Sequence, residues 1–158
     1  MGVTAARFFS LLFAALALAP ALAHLLELPN KIGLSRPDYL IVEQIYTGWA
    51  LLGIVVLGAL LSTLIVTILV RKRPEEFALS LLAFLCIVGT QVVFWTFTFP
   101  ANQQTSNWTM LPETWETLRM QWEYSHAASA VLNLIAFIAL AFSVSRTNRY
   151  SVKRVAYG

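Results

Sequence analysis

The chain has 158 residues, of which 58% are hydrophobic and 12% charged, with a formal net charge of +3. A composition this apolar excludes an ordinary soluble domain and points to a single-domain integral membrane protein. The lone cysteine, Cys86, excludes an intrachain disulfide or CxxC redox pair, and the basic residues flank apolar runs, where they report topology, so no nucleic-acid partner is expected.

A bilayer core of roughly 30 Å needs about 20 apolar residues at 1.5 Å per residue. Four runs meet that length, approximately 8–28, 47–70, 77–99 and 125–144. The first also resembles a secretory signal peptide, because Arg7 precedes an apolar stretch and Ala21-Leu22-Ala23 offers small residues at a cleavage site. Cleavage would make His24 the N-terminus. The apolar run continues through Leu25, Leu26 and Leu28, however, which favours a retained helix. Arg7, the Arg71-Lys72-Arg73 cluster and the tail bearing Arg146, Arg149, Lys153 and Arg154 fall on one side, which the positive-inside rule makes cytoplasmic. The short RKRPEE connection makes the middle helices antiparallel neighbours. The expected fold is therefore all-α, an up-down-up-down four-helix membrane bundle with both termini cytoplasmic.

Beyond the membrane, Ser35-Arg36-Pro37-Asp38 reads as a helix start with Ser35 as N-cap, and a helix from there to Val70 overshoots the hydrocarbon by about 15 Å. Pro112 suits a first helical turn, and ETWETLRMQWEY runs into the last apolar segment without a breaker. Helices two and four are thus expected to project and to form a vestibule with Trp108, Trp115 and Trp122. Gly48, Gly53 and Gly58, with Ser62 and Thr63, form a small-residue face for close packing. Phe94-Trp95-Thr96-Phe97-Thr98-Phe99 reads as an aromatic-lined helix end.

The stretch QWEYSHA places Glu123 and His126 on nearly one face of helix four, and helix one carries the reverse order in His24-Leu-Leu-Glu27. The two motifs match in depth, since Arg7 to His24 and His126 to Arg146 each correspond to roughly 25 to 30 Å of helix. Arg119, paired at i,i+4 with Glu123, together with Gln91, Asn102, Trp122 and Asn133, falls near the same level and would line a substrate pocket opening outward. Glu-x-x-His pairs on bundle helices are a known way to hold metal, and His24, Glu27, Glu123 and His126 would suit one zinc, iron, copper or manganese ion. Two other readings stay open. The His and Glu residues pair structurally between helices, or His126 and His24 act without metal, as general bases or as axial ligands to haem.

HLLELPNK, FPANQQTSNW and WETLRMQWEYSHAASAVLNL resemble the motif blocks of a four-helix membrane family related to anthrone oxygenases, over about His24 to Asn133. The resemblance implies a four-helix membrane fold and an oxygen-dependent oxidoreductase acting on a small lipophilic aromatic or quinol-like substrate. The expected location is a bacterial inner (plasma) membrane, and the positive-inside rule puts the pocket on the non-cytoplasmic side. The alternative is a non-catalytic membrane subunit or metal-binding module. Expected partners are the lipid bilayer, that substrate and, through oligomerisation, further copies of the chain as a homo-oligomer.

Overall fold

A computed structural model describes the backbone of residues 2–156 and the side chains of residues 2–146. The basic tail residues Arg149, Lys153 and Arg154 lie outside the described side chains. No strand occurs among the described residues. Helix α1, Val3–Lys31, is unbroken through Ala23 and closes with Lys31 in its last turn. Helix α2, Arg36–Glu43, starts where the sequence indicated, with the Ser35 side chain accepting from the Asp38 N–H and a proline in the first turn.

The expected continuous helix from Ser35 to Val70 does not form. The chain leaves α2 through a 3₁₀ turn, Gln44–Tyr46, and a second 3₁₀ turn, Trp49–Leu51, precedes α3, Leu52–Leu69. Gly48, at φ +88°, makes the break, because this left-handed conformation suits a residue without Cβ. Helix α2 is thereby free to fold over the bundle instead of extending from it.

Helix α4, Pro74–Val93, begins with proline and has Glu75 and Glu76 in its first turn. It passes into a π-helical segment, Phe94–Thr98, and then into α5, Phe99–Gln104. Pro100 accounts for the π turn. It lacks an N–H and its ring would collide with a regular helical carbonyl, so the ladder widens and the Phe99 N–H reaches Phe94 O. The Phe97 carbonyl is met by Gln121 Nε2 at 2.8 Å. The aromatic run is thus a helix end, with Trp95 and Phe97 exposed. Helix α6, Trp115–Ala156, rises from beyond the apolar zone without interruption.

Helices α1, α3, α4 and α6 pack as a ring in that order, α6 closing against α1. Among the described residues, four helical stretches are long and apolar enough to span a membrane: Val3–Lys31, Trp49–Leu69, Pro74–Gln104 and Trp115–Arg146. Their interior is built from small residues, including Ala14, Ala59, Ala83, Ala136 and Ala139, while Leu57, Leu61, Leu85, Ile138 and Phe142 face outward. This inversion of a soluble bundle is what lipid selects, since apolar bulk gains nothing by hiding from acyl chains and small residues allow close helix contact. The chain is an integral membrane protein. Of the expected small-residue face, Gly58 is pressed against Phe13, where a Cβ would stand 2.7 Å from the ring, and Ser62 and Thr63 are buried. Gly53 faces outward with open space around it, and Gly48 belongs to the turn.

One end of the bundle is fastened by a buried pair between Arg7 and Glu76, supported by Arg73 at 3.2 Å, with the Ser80 and Ser143 hydroxyls bonded beside it at 3.1 Å. The opposite end carries α2, α5 and the aromatic side chains.

Candidate functional site

At the α2 end, the two histidines meet. His24 of α1 and His126 of α6 stack nearly parallel, with ring centroids 4.1 Å apart and 19° between planes. The matching depths read from the sequence are therefore realised as contact. Around them stand Trp122, 4.2 Å from His126 and 5.1 Å from His24, Tyr46, 4.4 Å from His24, and Trp49, 5.4 Å from His24. His24 is buried, and its Nδ1 has no hydrogen-bond partner. A buried ring nitrogen without a partner is costly, and so stands ready for a ligand or a proton.

Neither histidine bonds the carboxylate on its own helix. Glu27, Glu43 and Glu123 converge instead on Lys31, at 3.7, 3.7 and 3.1 Å from Nζ. Lys31 also donates to the Tyr46 hydroxyl at 2.7 Å, and Tyr46 in turn donates to Glu27. Tyr39 donates to Glu123 at 3.1 Å. Glu43 and Glu123 are only 3% and 1% exposed, whereas the side chain of Glu27 is 38% exposed. A hydrogen-bonded path thus runs from Tyr39 through Glu123, Lys31 and Tyr46 to Glu27 at the surface.

Three carboxylates face one ammonium, and both oxygens of Glu43 and Oε2 of Glu123 lack hydrogen bonds. Burial pushes the Glu43 carboxyl up to about 8; the neighbouring Glu123 reinforces the shift, against Lys31 and the Tyr39 hydroxyl. The Tyr39 hydroxyl is pushed well above the usual phenol range by burial and by Glu43 and Glu123, and that of Tyr46 by burial and its bond to Glu27. Both phenols therefore stay protonated and act as donors.

The metal set expected from the sequence divides along these lines. His24 and His126 are together, but Glu27 and Glu123 are drawn aside by the Lys31 ammonium, which competes with any cation for their oxygens. Among the described residues, no group of three or more His, Cys, Asp or Glu is arranged to hold a metal ion. The i,i+4 pairing of Arg119 with Glu123 is also replaced. Arg119 donates to the Leu34 carbonyl at 2.8 Å and lies over Trp115, 4.5 Å from the ring centroid. Asn102 does reach the site, accepting from Trp122 Nε1 at 2.8 Å, and Trp122 forms its wall. Gln91 donates to Thr90, and Asn133 lies two turns beyond His126; neither joins the rings around the imidazoles.

Lys31, Glu43, Tyr39 and Tyr46 also belong to the site, although the sequence reading did not place them there. One signal was present. Lys31 follows Glu27 by four residues and His24 by seven, so all three share a helical face. Nothing in sequence spacing, by contrast, brings α2 over that face. Comparison of the chain with protein-family models, with curated proteins and with solved structures gives no match.

Proposed function

We propose that this protein is a membrane oxidoreductase whose His24–His126 pair takes a proton from a small lipophilic aromatic or quinol-like substrate, with molecular oxygen as the electron acceptor. A hydroquinol would lose two protons and two electrons to give the quinone, and oxygen would take up both to give hydrogen peroxide. The observation that carries this reading is the imidazole pair itself, held in an aromatic enclosure, with an unpartnered buried nitrogen beside a path that ends at half-exposed Glu27. Aromatic walls suit a planar apolar substrate, an imidazole suits proton abstraction, and the Tyr46–Glu27 link suits proton exit. The concentration of Arg71, Lys72, Arg73 and Arg146 at the opposite end supports a site on the non-cytoplasmic face.

The test is oxygen consumption by purified protein on a panel of hydroquinols and anthrones, with peroxide release expected from the hydroquinols. His126→Ala should lower turnover by about 10²-fold or more, the contribution typical of a positioned base. An unchanged rate removes His126 from the chemistry. A second reading, in which the cluster is structural, is favoured by the way Lys31 joins residues of α1, α2 and α6. It predicts that His126→Gln lowers the Tm and leaves function intact. Elemental analysis of the same preparations decides about metal: a near-stoichiometric ion lost in both His24→Ala and His126→Ala would replace the base reading with a metal centre.

A further inference from the structure

We infer that Asn102 is the positioning residue of the imidazole site, a single amide oxygen that fixes the rotation of two indoles and, through them, the enclosure of His24 and His126. The inference rests on the histidine pair being the functional site. Asn102 Oδ1 accepts from Trp122 Nε1 at 2.8 Å and from Trp108 Nε1 at 3.0 Å. Trp122 is the ring that touches both imidazoles. Trp108 lies edge-on to Trp122 at 5.6 Å and to Tyr39 at 5.3 Å, and Tyr39 is the donor to Glu123. One oxygen therefore links the aromatic wall to the carboxylate cluster under α2.

The backbone gives independent support. Ser106, Asn107 and Trp108 are consecutive residues in left-handed conformation, at φ 49°, 56° and 61°. Such a run in side chains other than glycine persists only where the surroundings over-determine it, and strain of this kind collects at functional sites. Here it is held at both ends, the Asn107 N–H reaching the Asn102 carbonyl at 2.7 Å and the Trp108 N–H reaching Thr105 Oγ1 at 3.1 Å. Its result is to turn the Trp108 indole back onto the side chain of Asn102. The π turn ahead of Pro100 sets the rotation at which α5 presents that residue. A loop that only needed to connect α5 to α6 would require neither feature.

The chain contains two histidines, both in the site, so carbethoxylation by diethyl pyrocarbonate, followed by ultraviolet absorbance, reports the site alone in a preparation without a histidine tag. Asn102→Leu removes both indole bonds and should raise the rate about five- to tenfold, the factor expected when the bond that holds Trp122, the wall ring, is lost. Asn102→Asp, which keeps an oxygen acceptor for both indoles, should stay within about twofold of the wild type. In a Trp122→Phe background, where residue 122 has no indole N–H, Asn102→Leu removes only the bond to Trp108 and should add less than it does in the wild type. Equal rates in wild type and Asn102→Leu overturn the inference, as does equal acceleration by Leu and Asp. So does full additivity with Trp122→Phe. This readout does not use a substrate. Failure of the oxidase assay with the expected modification pattern would count against the proposed chemistry alone, and the reverse against Asn102 alone.

Discussion

Both ends of the bundle bury charge, but they do so with opposite balance. At the Arg7 end, one carboxylate, Glu76, meets Arg7 and Arg73, and serine hydroxyls complete the contacts. At the histidine end, one ammonium faces three carboxylates, several carboxylate oxygens lack hydrogen bonds, and rings occupy the remaining space. A buried carboxylate held by two guanidiniums is a fastener, although Arg7 Nε lacks a hydrogen bond of its own. A surplus of buried carboxylates leaves a group that can take up or release a proton, as the proposed chemistry requires.

The largest effect should come from Lys31→Met, which removes the ammonium that faces the three carboxylates and leaves Glu43 and Glu123 buried together. The expected loss is about 3 to 5 kcal/mol, or a fall in Tm of about 10 °C in detergent, together with loss of turnover. Glu76→Gln is the counterpart at the other end. It leaves Arg7 partly unpaired and should cost about 2 to 3 kcal/mol, with turnover of the remaining folded protein unchanged. If the two variants lose activity in the same proportion to folded protein, the distinction between the ends disappears.

A smaller effect concerns pH. Because the carboxyl of Glu43 is pushed up to about 8 in the folded protein, the fold binds its proton more tightly than the unfolded chain does. That contribution to stability is complete below the ordinary carboxylate range and is lost as pH rises through about 8, with a slope of at most about 1.4 kcal/mol per pH unit. Thermal unfolding from pH 5 to 9 should show Tm declining with pH, and Glu43→Gln, neutral throughout and facing the same Lys31, Glu123 and Tyr39, should flatten the decline. An unchanged pH profile in the variant would show that Glu43 is ionised in the fold and that the cluster is balanced in another way.

Much of this was legible in the sequence because a membrane imposes simple rules. Length and hydropathy placed four spanning helices, and helical periodicity put His24 and His126 at one depth. Where α2 goes could not be read: the spacing from Ser35 to Val70 permits a continuous helix, but the chain breaks through the 3₁₀ turn at Gln44–Tyr46 and the left-handed Gly48. The partner of Glu123 was equally hidden. Arg119 has the right sequence offset, but Lys31 wins because it comes from a packed neighbouring helix and reaches 3.1 Å with both side chains buried, where charge attraction is strong.

The sequence by itself determined that the chain is helical, membrane-spanning and polar at one end, since these follow from local composition and period. Only the tertiary structure decided which charges are partners, that the imidazoles stack and that one asparagine oxygen holds two indoles. Those contacts depend on the rotation and closure of helices far apart in the chain, which spacing along a single helix does not specify.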